Sequence, residues 1–480
     1  MLGQFIYAAF IKIFGALSEV IFNGFIARKL GSEIYGELTF VVSFGSLLFF
    51  VLFGGKIKHS VKYTSLGFDL NNFNKKYLFF YAIPTSVLLL GFGYISDDGN
   101  IIYIAVFSLL MFLFMDLNAV LYGIEKTIYA LLAEYIVFRI SILIIVMAGF
   151  FIFKKFDLMF ILATYFLGFL LSIAFQLAVK KKWKDLKAQN YHKERPVYTE
   201  LFTFQLIEIS SNIYTNIPKV LQYIFFGAIQ AGYLNIALLV RQMLFFFAGP
   251  TNKLFFSHFV KYSSIGDNQK LSETYKNATR WQMFLIMPAF LMIVSYPEIV
   301  ILIFGEDYIN ASIVIVITAI ATFFDVVAGP NSNFLQMVKK EKLEFKNLIF
   351  SLFLFLIMTL LLHSLNAGAL ILPITLLITT ISVNALRLLQ IKKHFNFYPY
   401  SFKELLYILF WSIALFLVYQ IVYLLVIAVF IKYLLIMLIA GVSIVLQFVF
   451  SPNMTDKNYM LSRLNKVRRI FLSSRVKANL

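Results

Sequence analysis

Apolar residues run along this chain in blocks of about twenty, the length an α-helix needs to cross a hydrocarbon core, with short polar or basic stretches between them. The pattern predicts roughly fourteen membrane-spanning helices, near 4–27, 37–55, 77–95, 101–121, 130–153, 158–179, 201–226, 234–259, 280–303, 311–337, 346–365, 369–390, 404–424 and 429–450. The last two come from one apolar stretch, Leu405 to Phe450, too long for a single span. We fold it near Val426 and place Lys432 at the interface.

Polar positions inside these blocks are periodic. In the seventh block Gln205, Glu208, Asn212, Thr215, Lys219 and Gln222 follow at steps of three or four and form one stripe of a helix. A stripe this polar does not face acyl chains. The first block carries Lys12, Glu19 and Asn23 on one face in the same way. The turns leaving these two blocks share a pattern, Leu30-Gly31 with Gly36 and Leu38 against Phe226-Gly227 with Gly232 and Leu234, 196 residues apart. A second echo, Phe114-Met115-Asp116 against Phe323-Phe324-Asp325, lies 209 residues apart and implies an insertion of 13 residues between the two echoes.

The chain therefore reads as an N-terminal lobe over 1–179, a basic linker over 180–200, a C-terminal lobe over 201–390, two further helices over 391–450 and a basic tail over 451–480. Shifted by 196 residues, Lys12 falls on Glu208, Glu19 on Thr215 and Asn23 on Lys219. This predicts two helices facing one aqueous cavity, with Lys12 opposite Glu208. The simpler alternative is that this pair only neutralises itself at a helix contact. Of the other embedded charges, Arg139 and Arg241 lie deep. Glu134 and His363 read as interfacial, while Lys253 and Arg387 snorkel to the interface.

Composition agrees with a lipid solvent: 61% of residues are hydrophobic and only 14% charged, against about 25% charged in soluble domains. The expected class is an all-α polytopic membrane protein. The net charge of +18 would suggest nucleic acid in a soluble protein, but here the charges cluster in loops. Lysines at 56, 58, 62, 75, 76, 126, 180–182, 261, 270, 339, 340, 392 and 393 fall on alternate loops, whereas the opposite loops hold Asp97–Asp98 and Glu306–Asp307. The positive-inside rule places both termini in the cytoplasm. The first block, interrupted by Lys12 and Glu19, does not read as a cleaved signal peptide.

The chemistry that remains is narrow. The chain has no cysteine, its five histidines lack metal spacing, and no phosphate-binding loop of the GxxxxGK type occurs, so no catalytic residue, cofactor or metal is predicted. No loop is long enough for the outer domain that membrane glycosyltransferases and polymerases use. Without ATP hydrolysis, uphill steps need an ion gradient. Carboxylates in low dielectric suit proton or sodium coupling, and Glu19, Asp116, Glu208 and Asp325 are the candidates.

The Leu30-Gly31…Gly36 turn, the basic Lys56-Ile57-Lys58-His59, Phe304-Gly305-Glu306-Asp307-Tyr308 and the Lys339-Lys340-Glu341-Lys342 stretch together resemble the polysaccharide-transporter family. That family shares a superfamily with multidrug and toxin extrusion proteins and lipid II flippases. The resemblance implies a V-shaped pair of six-helix lobes working by alternating access in a bacterial cytoplasmic membrane. The cargo would be undecaprenyl-pyrophosphate-linked oligosaccharide for surface polysaccharide such as O-antigen, alongside glycosyltransferases and a polymerase of the same pathway. It also implies a cationic cavity, for which Lys12, Arg139, Lys219 and Arg241 supply charge, with Gln205, Asn212 and Gln222 on its wall. A multidrug exporter of the same superfamily is the alternative and calls for a predominantly acidic cavity.

Overall fold

The computed structural model describes residues 2–65, 70–95, 99–153, 157–182, 198–425 and 428–453. The Asp97–Asp98 turn, Lys154 and Lys155, most of the 180–200 linker, Val426 and the basic tail lie outside the described residues. The side chains of Asn212 and Lys253 do too.

Among the described residues the chain is helical throughout, and eleven helical stretches are long and apolar enough to cross a membrane. The all-α polytopic expectation holds. In order, the long helices are α1 (2–30), α2 (32–65), α3 (71–95), α4 (Gly99–Gly123), α5 (127–153), α6 (Leu158–Lys182), α7 (198–226), α8 (228–264) and α9 (Asn268–Ser295). They continue with α10 (Ser312–Val327, resumed over Asn331–Met337), α11 (Glu341–Ser364), α12 (Ile371–Phe395), α13 (Phe402–Leu424) and α14 (Val429–Val449).

The breaks follow local chemistry. α1 turns into α2 at Gly31 with φ 77°, and α7 into α8 at Gly227 with φ 81°, a left-handed region that costs a side-chain-bearing residue but not glycine. These are the two turns that the 196-residue echo picked out. The α4–α5 and α10–α11 turns also match: Lys126 N–H donates to the Leu121 carbonyl and Lys340 N–H to the Leu335 carbonyl, each at 2.9 Å.

α9 differs from the expected 280–303. It begins at Asn268, well before 280, because Asp267 caps the Lys270 N–H at 3.0 Å, a bond that holds the Asp267 carboxyl below its usual range. It ends at Ser295 because Pro297 forces the preceding Tyr296 into extended backbone (φ −139°, ψ 70°). Two short helices follow, Glu298–Phe304 and Glu306–Ala311, where the first repeat passes from Ile95 to Gly99. This is the insertion that the unequal offsets implied.

Two compact units emerge. The first comprises residues 1–235 with 303–309, the second 236–302 with 310–480. In the first, Phe49, Phe53, Ala82 and Phe112 make one core and Phe107, Phe114, Ala133 and Phe169 another. α2 is tied along its length to α7 and the start of α8. Gln205 donates to the Phe50 and Val51 carbonyls and accepts from the Gly55 N–H at 2.7 Å, Lys58 pairs with Glu208 at 2.8 Å, and Lys62 with Glu200 at 2.8 Å. The Lys62 ammonium holds the exposed Glu200 carboxyl below the usual carboxylate range. The inserted segment packs here as well, with the Tyr308 ring edge-on to Tyr35 and Tyr233, and Tyr233 Oη donating to the Asp307 carbonyl at 3.2 Å.

In the second unit α13 docks on α9. Ser401 and Glu404 form a capping box at the start of α13, and the other oxygen of Glu404 takes the buried Arg280 guanidinium of α9. Tyr296 Oη donates to the Tyr419 carbonyl at 2.6 Å and Tyr419 Oη to the Pro288 carbonyl at 3.2 Å. Lys432, expected at the interface, donates to the Tyr423 carbonyl at 2.8 Å.

Candidate functional site

The first unit contains a cavity of about 270 Å³ with one ionic and one aromatic side. Glu19 and Asn23 of α1 and Glu134 and Arg139 of α5 line the ionic side. Phe107, Phe114, Phe138 and Phe169 line the other, with Phe138 stacked on Phe169 at 4.5 Å.

Glu19 and Arg139 form an ion pair across the cavity. The guanidinium also lies 5.1 Å from the Tyr135 ring centroid. Asn23 is held by Tyr35 Oη at 3.0 Å, and Asn235 Nδ2 donates to the same phenol at 2.8 Å. Two lysines flank the site: the charge of Lys12 acts on Glu134, and that of Lys219 interacts with Glu19. The lining itself thus holds Arg139 with Glu19 and Glu134, and Lys12 and Lys219 act on these carboxylates from beside it.

Glu134 reaches the cavity because of a local irregularity. Glu134 and Arg139 are five residues apart, about 140° around a regular α-helix. Over Leu132–Phe138, however, α5 is π-helical, and the wider turn brings both side chains to one wall. Glu134, read from the sequence as interfacial, thus lines the cavity. It accepts from Asn118 Nδ2 at 3.3 Å, and the Tyr122 and Tyr135 phenols bond to it. Gln176 of α6 in turn donates to Asn118 Oδ1 at 3.3 Å.

Each of the four carboxylates expected to couple an ion has a cation against it. Asp116 accepts from the fully buried Lys56 at 2.8 Å and from Ser60 at 2.7 Å, and Lys56 also donates to Asn74 at 2.8 Å. In the second unit Asp325 pairs with Arg241 at 3.0 Å and accepts from Asn384 at 2.9 Å. The echo of Asp116 and Asp325 has a common basis, since each is held by a cation from the second helix of its own repeat. Glu19 pairs with Arg139, and Glu208 with Lys58.

Of the residues expected to bind cargo, Arg139 lines the cavity and Lys12 and Lys219 flank it, as described. Arg241 belongs to the second unit. Gln205 is bound to the backbone of α2 through both ends of its amide. Gln222 is buried. The side chain of Asn212 is outside the described residues. Among the described residues no group of three or more acidic or histidine side chains is placed to hold a metal ion.

This succession of helices, with a turn pattern repeated once and two further helices after it, has the same fold as several solved membrane proteins. The chain is similar to a lipid II flippase MurJ in an inward closed conformation, with TM-score 0.68 and 16% identity over 93% of this chain and 98% of that one. It is similar also to an inward-facing multidrug resistance MATE transporter of the MOP superfamily (TM-score 0.63, 14% identity, 80% of this chain and 94% of that one). A third is a MOP superfamily transporter from Pyrococcus furiosus, described by a reversed polarity of its binding pocket that suggests a different function (TM-score 0.51, 14% identity, 82% and 95%). No family model and no curated protein matches the sequence.

Proposed function

We propose that this protein carries a lipid-linked oligosaccharide across the bacterial cytoplasmic membrane, with undecaprenyl diphosphate as the anionic handle. The two repeats, 1–179 and 201–390, act as lobes that expose the cargo site to each side in turn, with both termini in the cytoplasm. Surface polysaccharide synthesis, such as that of O-antigen, is the setting, and its polymerase and glycosyltransferases the neighbouring activities.

The observation that carries this reading is the charge of the cavity. Arg139 in its lining, with Lys12 and Lys219 beside it, supplies the cations a diphosphate calls for, and charge-assisted bonds from Arg and Lys to phosphate are about twice as strong as neutral ones. The aromatic wall beside the ion pair gives sugar rings and prenyl carbons an apolar surface.

The test is transport of a fluorescent undecaprenyl-diphosphate oligosaccharide in proteoliposomes. Arg139→Ala and Lys219→Ala should each slow it at least about tenfold, the loss of one charge-assisted bond, while Arg28→Ala leaves it unchanged. Wild-type rates in both variants, or efflux of ethidium in place of the lipid, would refute the proposal.

A further inference from the structure

The four carboxylates that sequence alone offers for ion coupling are all ion-paired in the structure, whereas Glu134 is bonded by an amide and two phenols. From this arrangement we infer that Glu134 takes up a proton when an anionic headgroup enters the cavity, so that cargo binding and proton binding are linked at this residue. The inference rests on the anionic cargo proposed above and adds the residue at which the coupling occurs.

The groups around Glu134 define what happens on binding. α1 brings Lys12 and, across the cavity, Glu19; α5 itself brings Arg139 and Tyr135. α4 brings Asn118 and Tyr122, and α6 brings Gln176 behind Asn118 and Tyr165 on the cavity wall. Arg139 and Lys12 are therefore the cations that balance Glu134, and Arg139 lines the cavity that a diphosphate would enter. A headgroup that draws them away leaves a carboxylate beside several negative oxygens in low dielectric, and like charges that close do not both stay ionised. Glu19 meets the same anion but keeps Lys219 within reach. Glu134 keeps only neutral partners. Its phenol neighbours accept a carboxylic proton as readily as they donate to a carboxylate, so the protonated form is housed without rearrangement.

The experiment is calorimetric titration of the full-length protein in detergent with geranylgeranyl diphosphate, in Hepes and in Tris, whose different ionisation heats reveal protons taken up. The ionisation of the probe itself is common to all variants and cancels in their difference. Relative to Glu134→Gln, the wild type should take up close to one additional proton per bound probe at pH 7.5. Its affinity should fall by about a hundredfold between pH 6.5 and 8.5, and that fall should be absent from Glu134→Gln. Glu134→Asp keeps a titrating carboxyl and should restore the proton count, which also covers the case in which the glutamine variant does not fold. Equal counts in wild type and Glu134→Gln, or a count removed by Glu19→Gln alone, overturn the inference and leave the proposed cargo standing. No binding of the diphosphate to the wild type overturns the proposed cargo and the inference with it.

Discussion

At the scale of single residues, Lys56 is a costly side chain to bury in the first unit. It is fully buried and its ammonium is shared among Asp116, Ser60 and Asn74, with the Phe73 ring 5.3 Å away. Removing one partner of such a pair leaves the other charge buried and uncompensated, at a cost of about 3 to 5 kcal/mol. Lys56→Met should therefore lower the unfolding free energy in detergent by about that amount, and Lys56→Met combined with Asp116→Leu should recover most of it. A double variant no more stable than the single one would show that the pair is not the origin of the loss. Sequence reading ranked Asp116 as a candidate for ion binding because an embedded carboxylate is expensive, which is sound. It could not pair it with Lys56, sixty residues away on another helix, because contacts between helices leave no periodic trace. Glu134 was lost for a related reason. The π-helical turn that redirects it is one extra residue in a helix whose apolar pattern looks regular on either side.

At the scale of elements, the repeat was legible, because glycines at forced turns survive as fixed points while the rest of the pattern drifts. Gly31 and Gly227 do adopt the left-handed backbone that the echo implied, and the unequal offsets located an insertion before its two short helices were seen. The second glycine of each turn has another role. A side chain at Gly36 would overlap the Ala228 carbonyl, and a Cβ at Gly232 would lie 2.9 Å from the Ser32 carbonyl oxygen and 3.5 Å from the Gly36 Cα. Ser32 and Ala228 are themselves 196 residues apart, as are Gly36 and Gly232. The starts of α2 and α8 therefore cross as two small-xxx-small motifs related by the repeat, an arrangement that lets backbones touch in lipid. Gly36→Leu forces them apart, because the obstructing atom is backbone and has no rotamer to yield. We expect that variant to insert normally but to transport at least about tenfold more slowly, with a leucine costing the close packing of this crossing. The native chain lacks cysteine, so Ser32→Cys with Gly232→Cys should cross-link under mild oxidation. Absence of the cross-link in every transport state would count against the crossing.

At the scale of the whole molecule, the distribution of charge among turns makes an orientation claim that labelling can decide. If each long helix crosses the membrane once, successive turns alternate between its two faces. Lys126 lies in the α4–α5 turn, Lys261 and Lys270 flank the α8–α9 turn, Lys339, Lys340 and Lys342 lie at the α10–α11 turn, and Lys392 and Lys393 end α12. All these turns have the same parity. Turns of the other parity hold Asp157, the Glu306–Asp307 pair and Asn366. Lysine in short loops is retained on the cytoplasmic face, where each residue near an anionic leaflet gains about 1 kcal/mol. Single cysteines replacing Lys126, Ser264 and Lys342 should therefore react with an impermeant maleimide only after the cells are opened. Cysteines replacing Asp157, Asp307 and Asn366 should react in intact cells. The prediction concerns all six positions together, because one inverted span anywhere between α4 and α12 would exchange the behaviour of every turn beyond it. A set in which labelling fails to alternate would break the parity on which both the cytoplasmic termini and the parallel repeats depend, whereas alternation with the opposite sign would preserve the repeat and reverse only the membrane orientation.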